Sequence, residues 1–162
     1  MEERNGGKVT SLSREVNKFS EIEYRNREGQ IYREDGPAVI RANGSQYWFK
    51  NGEKHREDGP AVIYSDGTQC WCKNGKLHRE DGPAAIYSNG TQCWYKNDKL
   101  HRENGPAVIY AGGTQIWYKN GKQHRKGGPA AILGNGSLYW YENDELPKHK
   151  TYASIDPTGR KE

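Results

Sequence analysis

The chain has 162 residues, of which 32% are hydrophobic and 11% aromatic, and its 25 basic and 21 acidic side chains give a net charge of +4. Low hydrophobicity is typical of disordered chains, but such chains are poor in aromatic residues, and here all five tryptophans recur at a fixed interval. The mixed charges exclude the basic block of a nucleic-acid binder and the acidic tail of a DNA mimic. We therefore expect an ordered, thin fold with little interior per residue.

The N-terminal segment, residues 1–22, is polar and matches no other part of the chain. Ser13 is a good helix N-cap, and it predicts a short helix through Phe19 that either caps the fold or frays. The segment lacks the apolar centre of a signal peptide, and no apolar run is long enough to cross a bilayer. The sequence therefore predicts neither secretion nor a membrane span.

A 23-residue repeat organises the rest of the chain. Five copies begin at Gly36, Gly59, Gly82, Gly105 and Gly128, after a half-unit at 23–35. The array is expected to cover 23–147, its five units filling 36–150, and the last unit degenerates where Pro147 replaces the recurring histidine. Residues 148–162 form a polar tail. Self-similarity at this period is typical of solenoid-like arrays.

Each copy contains two runs rich in β-branched and aromatic residues, separated by a turn such as Asp66-Gly67. The sequence therefore predicts an all-β, elongated, single-layer β-hairpin repeat array. A two-residue turn at Asp66-Gly67 would place Ile63 opposite Cys70. Alternation then assigns Ala61, Ile63, Cys70 and Cys72 to the core face, and Val62, Tyr64, Gln69, Trp71 and Lys73 to a partly wet face.

A second turn signal, Asn74-Gly75, follows at once. It directs the next residues either back into the sheet as a third strand or out into a connecting loop. The near identity of the copies favours two strands and a loop, because each copy then superposes on the next by translation. This arrangement places His78 and Arg79 on or near the connection.

The three cysteines, Cys70, Cys72 and Cys93, make an odd number. Cys70 and Cys93 occupy equivalent positions in adjacent copies, and two strands at ~4.8 Å would separate them by about 10 Å. Disulfide geometry requires a shorter distance between Cα atoms. We therefore expect three reduced thiols and a cytoplasmic protein.

Four recurring histidines, His55, His78, His101 and His124, suggest a metal site, but equivalent positions lie too far apart to share one ion. Every candidate His, Arg, Glu and Asp recurs with the copies, whereas an active site needs one unique constellation in a pocket. No nucleophile or phosphate-binding motif occurs. We therefore expect no metal, no cofactor and no enzymatic activity.

The candidate partner-binding surface is the set of aromatic, basic and histidine side chains that recur from copy to copy. It comprises Trp48, Trp71, Trp94, Trp117, Trp140, Tyr64, Tyr87, Tyr110, Lys73, Lys96, Lys119, His78, His101, His124, Arg79, Arg102, Arg125 and Lys126. Arg125 and Lys126 break the pattern of arginine followed by acidic residues, and they predict a local positive contact.

Three interpretations of the tryptophan row remain open: core packing, a protein-binding strip, and stacking of single-stranded bases beside the lysines. The acidic residues of every copy oppose the third interpretation, because they weaken attraction to phosphate.

Several features of the repeat resemble MORN-type repeats, more closely their bacterial and viral variant class. They are the 23-residue period, the Asn-Gly-Lys turn followed by His, a Tyr before a Ser-Asp-Gly turn, and an aromatic residue just ahead of the next Asn-Gly. The resemblance covers 23–147, although Thr-Gln-x-Trp replaces the Tyr-x-Gly-x-Trp of the original family. It implies a β-hairpin array that serves as a protein-binding scaffold, with an antitoxin or immunity role.

These observations lead to one hypothesis and one alternative. The hypothesis is a non-enzymatic repeat scaffold that neutralises a target protein, such as a toxin or a defence effector, as an antitoxin, immunity factor or phage anti-defence inhibitor. The alternative is a single-stranded nucleic-acid binder that uses the Trp and Lys rows. The open sheet edges also predict a homodimer formed by strand addition.

Overall fold

The computed structural model describes residues 12–19, 21–146 and 154–155, and within these ranges the chain contains strands and turns but no helix. The strands are β1 Ser13–Val16, β2 Ile22–Arg25, β3 Val39–Ile40, β4 Gln46–Tyr47, β5 Phe49–Lys50, β6 Glu53–Lys54, β7 Val62–Ile63, β8 Gln69–Cys70, β9 Cys72–Lys73, β10 Lys76–Leu77, β11 Ala85–Ile86, β12 Gln92–Cys93, β13 Tyr95–Lys96, β14 Lys99–Leu100, β15 Val108–Ile109, β16 Gln115–Ile116, β17 Tyr118–Lys119, β18 Lys122–Gln123, β19 Ala131–Ile132, β20 Leu138–Tyr139 and β21 Ser154–Ile155.

Thirteen of these strands form one antiparallel sheet, which we call the main sheet. Its order is β1-β2-β3-β4-β7-β8-β11-β12-β15-β16-β19-β20-β21. Each copy contributes two adjacent strands, for example β7 and β8, and the next copy continues the same ladder. The all-β, elongated hairpin array predicted from the 23-residue period is confirmed.

The remaining strands pair into separate two-stranded hairpins, β5-β6, β9-β10, β13-β14 and β17-β18, which we call the side hairpins. Asn74 and Gly75 have φ angles of 51° and 76°, which are typical of the tight primed turn that joins two strands directly. Two main-sheet strands per copy were predicted correctly. The residues after Gly75, however, form a return strand outside the main sheet and not a plain loop.

Neighbouring side hairpins are joined by backbone hydrogen bonds. The Gly75 amide donates to the Lys54 carbonyl at 3.0 Å, and the Arg79 amide donates to the Tyr95 carbonyl at 3.3 Å. Because both bonds connect one copy to the next, the side hairpins add a second line of contacts along the array beside the main sheet.

The predicted strand register is wrong by one residue. Val62, not Ile63, lies opposite Cys70, and Ile63 lies opposite Gln69. The reason is the turn: Gly67 has a φ of 88° while Asp66 has no positive φ, and the Gly67 amide donates to the Tyr64 carbonyl at 2.9 Å. The loop is therefore a turn followed by a left-handed glycine, which is one residue longer than a primed two-residue turn.

The change of register also corrects the predicted faces. Val62, assigned to the wet face, is only 2% exposed, whereas Ile63, assigned to the core, is half-buried. Ala61 and Cys72 are buried as expected, and Cys70 packs beside them. The core is a thin layer between the main sheet and the side hairpins, with Leu77 as a further partly buried member.

The helix predicted from Ser13 is not formed. Ser13–Val16 is strand β1, paired with β2 in the register Val16↔Ile22. Asn17 closes the connection, because its side-chain oxygen accepts hydrogen bonds from the amides of Phe19 at 2.9 Å and Glu21 at 3.1 Å. So short a helix is marginal in water, whereas the edge of β2 offers backbone partners.

A row of hydroxyls links the main-sheet turns of adjacent copies. Thr68 is 6% exposed, and its Oγ1 accepts a hydrogen bond from the Ser88 amide at 3.2 Å. Three equivalent bonds follow the array: Ser65 amide to Ser45 Oγ at 3.1 Å, Ala111 amide to Thr91 Oγ1 at 3.4 Å, and Gly134 amide to Thr114 Oγ1 at 3.0 Å. Each bond fixes one copy against the next.

Candidate functional site

Each tryptophan marks the corner between the main sheet and a side hairpin. The Trp71 amide donates to the Ala84 carbonyl in the main sheet of the next copy at 2.8 Å, and its carbonyl accepts from the His78 amide at 3.0 Å. The backbone therefore turns at Trp71, which separates strands β8 and β9. The ring is half-buried at this corner.

An arginine of the same copy stacks on the tryptophan ring. The guanidinium carbon lies 4.3 Å from the ring centre for Arg56 on Trp48 and Arg79 on Trp71, 3.9 Å for Arg102 on Trp94, and 4.0 Å for Arg125 on Trp117. We call these side chains and the histidines beside them the Arg–Trp surface. A cation that already covers the indole leaves that ring face closed to a stacked base.

The histidines connect neighbouring copies. The His55 side chain is 10% exposed, and its Nδ1 lies 3.0 Å from Asn74 Oδ1 and 3.2 Å from the Asn74 amide nitrogen. The same relation recurs from His78 to Asn97 at 2.8 Å and from His101 to the Asn120 amide at 3.1 Å. His124 departs from this pattern, because its buried Nδ1 has no hydrogen-bond partner among the described residues.

Carboxylates of the connecting segments lie near lysines of the side hairpins. Lys50 Nζ lies 2.8 Å from Glu57 Oε1, and this hydrogen bond lowers the pKa of Glu57. Glu103 also has a lowered pKa, because it accepts a hydrogen bond from His101 and lies near Lys119 and Lys96. Lys73, Lys96 and Lys119 are exposed, but the positive charge of the row is opposed by these carboxylates.

The predicted positive contact lies at copy four. Arg125 and Lys126 are followed by Gly127, so the arginine has no equivalent of the Arg79–Asp81 ion pair at 3.1 Å, and its Nη1 donates to the Pro129 carbonyl at 3.2 Å. Glu142, however, occupies the position of the lysine row in copy five and pairs with His124 in an isolated bridge. That bridge is a pairing of the two backbones, and Arg125 is followed by a lysine where the arginines of copies one to three are followed by a glutamate.

The tyrosines lie along a different groove. Tyr64, Tyr87 and Tyr110 are 39%, 41% and 46% exposed, and they form one row along the main sheet. A groove of about 690 Å³ is lined by the first two members of this row, Tyr64 and Tyr87. Its walls are built by residues of copies one to three, including Tyr64, Tyr87, Val62, Cys70, Leu77 and Lys54. We call it the tyrosine groove.

Clefts on the Arg–Trp surface have another composition. One of about 770 Å³ lies between successive connecting segments and is lined by Trp71, His55, His78, Arg56, Arg79 and the carboxylates Glu57, Asp58, Glu80 and Asp81. It contains charges of both signs, and its exposed lining is polar and apolar in about equal parts. The structure thus separates the two sets of aromatic residues: Trp48, Trp71 and Trp94 each line a cleft of the Arg–Trp surface, whereas Tyr64 and Tyr87 line the tyrosine groove.

The cysteines are free thiols whose environment keeps them protonated. Burial raises the pKa of Cys72 to about 11 and raises the pKa of Cys70 and Cys93. Ala85 lies between Cys70 and Cys93 and pairs with both. A buried thiol with a raised pKa is a weak nucleophile.

Three features of these surfaces were not predicted from the sequence. The arginine stack of the half-unit uses Tyr24, which lies 4.2 Å below Arg33, although Arg25 occupies the tryptophan position. The hydroxyl row was also missed, even though Ser or Thr follows the turn glycine in all five copies. The third is that Arg41 and Leu133 occupy the tyrosine position in copies one and five.

In the described part of the chain, no three His, Cys, Asp or Glu side chains are close enough to share a metal ion. No helix among those residues is long and apolar enough to cross a membrane. The chain matches no protein-family model and no curated protein.

Proposed function

We propose that the chain is a non-enzymatic scaffold that binds another protein through the extended side of its repeat array. The observation that carries this proposal is the exposed row of Tyr64, Tyr87 and Tyr110 beside an apolar groove. Half-exposed tyrosines supply rigid, amphipathic contact area and are enriched at protein interfaces. The continuous main sheet holds them at a constant interval.

The proposed consequence of binding is neutralisation of the partner, as by an antitoxin, an immunity factor or a phage anti-defence inhibitor. This part rests on the resemblance to bacterial and viral MORN-type repeats. The free cysteines are compatible with a reducing, cytoplasmic compartment, where such partners act.

Binding of single-stranded nucleic acid is the less favoured function. It would use the tryptophans and Lys73, Lys96 and Lys119, but arginines stack on four of the indoles, and Glu103 lies near Lys96 and Lys119. Stacking platforms need open ring faces, and phosphate attraction needs a net positive groove.

The test is capture of the partner from a lysate of the source cells by the tagged protein, followed by an activity assay of the captured protein. We expect retention of one protein after nuclease treatment and at high salt, and loss of its activity on addition of the repeat protein. Capture should be unchanged when the charge of the lysine row is reversed by the triple substitution Lys73→Glu, Lys96→Glu and Lys119→Glu. Captured material that is nuclease-sensitive, or lost with the lysines and with salt, would contradict the proposal.

A further inference from the structure

We propose that the tyrosine groove binds a proline-rich segment in the polyproline II conformation, with acidic residues at the end that lies over copy one. The inference rests on the proposed protein-binding function and names the chemistry of the partner. Three observations carry it: the interval between the tyrosines, the composition of the groove, and the cations at one end of it.

The first observation is the interval. Each copy adds two strands to the main sheet, so successive tyrosines are separated by about 9.4–9.8 Å along the array. A polyproline II helix has three residues per turn and rises ~3.1 Å per residue, or about 9.3 Å per turn. The mismatch is at most about 0.5 Å per copy, and about 1 Å from Tyr64 to Tyr110.

Other conformations fit this interval less well. A β-strand covers it with about three residues, but its side chains alternate between faces, so every second contact would point away from the groove. An α-helix repeats a face after seven residues, about 10.5 Å, and would drift by about 2 Å between Tyr64 and Tyr110. Polyproline II matches the tyrosine row in both pitch and phase.

The second observation is the composition of the groove. Aromatic-lined grooves bind proline-rich segments because the stiff helix loses little entropy when it docks. Tyr64 and Tyr87 line the groove beside the apolar side chains of Val62 and Leu77, and Tyr110 continues the exposed row in the next copy. The carbonyls of polyproline II have no internal hydrogen bonds and can accept them from the tyrosine hydroxyls.

The third observation is the charge at the copy-one end. Arg41 occupies the position of Tyr64, and Lys54 occupies the position of Leu77. Their cationic groups lie 5.0 Å and 5.7 Å from the ring centre of Tyr47. The Arg41 side chain is 54% exposed and lies 3.6 Å from Glu21. Two cations beside one ring, where the next copy has apolar residues, complement acidic residues of a bound segment.

The probe is a synthetic peptide of about twelve residues, with proline at every third position and two aspartates at one end. Its control has the same composition with the proline spacing scrambled. Isothermal titration and amide chemical shifts are measured on the full chain. We expect the phased peptide to bind at least about tenfold more tightly than the scrambled one, with shifts confined to the tyrosine groove.

Variants locate the contact. Tyr87→Ala should weaken binding of the phased peptide about tenfold, whereas Tyr87→Phe, which keeps the ring, should weaken it only about threefold. Arg41→Gln should reduce the salt dependence of binding. Leu133→Tyr extends the row by one copy and should improve binding only of a peptide lengthened by one turn. This gain-of-affinity variant keeps the test valid even if Tyr87→Ala fails to fold.

Several outcomes would overturn the inference: equal affinity for the phased and scrambled peptides, shifts on the Arg–Trp surface, or no effect of either Tyr87→Ala or Leu133→Tyr. The failures of the two proposals are distinguishable. The folded Tyr87→Ala variant could capture the partner as well as the wild type does, and the phased peptide could fail to displace that partner. This result would support the proposed binding function and refute the proline-rich assignment. Tyrosine-dependent binding of the phased peptide without any captured protein supports the groove and refutes neutralisation.

Discussion

The guanidinium carbon of Arg79 lies 4.3 Å from the centre of the Trp71 ring, and a Cβ atom on Gly82 would come within 2.9 Å of the same carbon. The cation is therefore held between an indole and the backbone of its own connecting segment. Gly82 has no left-handed φ, so its recurrence reflects the space taken by Arg79 and not backbone conformation. The same stack occurs in four copies, and in each it holds the connecting segment against the tryptophan at the corner between the main sheet and the side hairpin.

The first prediction tests this role of glycine. Gly82→Ala should displace Arg79 from Trp71, with the loss of a cation–π contact worth about 0.5–1 kcal/mol at an exposed site. We expect the melting temperature to fall by a few degrees, since about 1 kcal/mol corresponds to ~2–4 °C for a chain of this size. Gly112→Ala is the matched control, because that position has no left-handed φ and nothing within 4 Å. Equal melting temperatures of the two variants would contradict the stack.

The repeat made the architecture predictable from the sequence. A constant interval with no insertion requires every copy to occupy an equivalent place, and Asn74-Gly75 encodes a primed turn directly, as its φ angles of 51° and 76° show. The main sheet and the alignment of the candidate residues into rows follow from these two signals.

The register and the faces were not predictable by the same reasoning. Asp-Gly is compatible both with a two-residue primed turn and with a longer turn that ends in a left-handed glycine. The buried hydroxyl of Thr68 bonds to the amide of Ser88 in the next copy, and Asp66 accepts the Thr68 amide at 2.8 Å. Both contacts are made by the longer loop. The bond from the Ser88 amide to Thr68 joins two copies, and the sequence of one loop alone does not reveal such a contact. The separation of tyrosines from tryptophans follows from that one-residue difference.

The second prediction concerns Asp98, which replaces the turn glycine of copies one, two and four. Its φ is 64°, and its Oδ1 accepts a hydrogen bond from the Leu77 amide of the preceding copy at 2.7 Å. Asp98→Ala loses the bond and keeps a strained φ, so we expect a loss of about 1–2 kcal/mol in the free energy of unfolding. Asp98→Gly also loses the bond but relieves the strain, and it should be nearly neutral. The free energies of unfolding are measured with urea, and a higher value for Asp98→Ala than for Asp98→Gly would contradict this account.

The third prediction concerns the Thr68 hydroxyl in the hydroxyl row. Thr68→Val keeps the shape of the side chain but removes the acceptor that the Ser88 amide now reaches at 3.2 Å, together with the hydroxyl donor to Asp66 Oδ2 at 3.0 Å. We expect hydrogen exchange of the Ser88 amide to accelerate about tenfold and the free energy of unfolding to fall by about 1 kcal/mol. The Ser65 amide, bonded to Ser45 Oγ at 3.1 Å, is the internal reference. Equal acceleration at both amides would indicate global destabilisation and not a local effect of the lost hydroxyl.

The fourth prediction concerns the pH dependence of stability and its origin in Cys72. Burial raises the pKa of this thiol from 9.0 to about 11, so the folded protein keeps a proton that the unfolded chain releases. Its contribution to the free energy of unfolding is therefore fully present below pH 9.0 and is lost as pH rises towards about 11. Tyr95, whose pKa burial raises to about 12, adds to the decline at still higher pH, so the test is a difference. Urea unfolding under reducing conditions should show a shallower decline for Cys72→Val than for the wild type over this window, whereas parallel curves would place the pH dependence elsewhere.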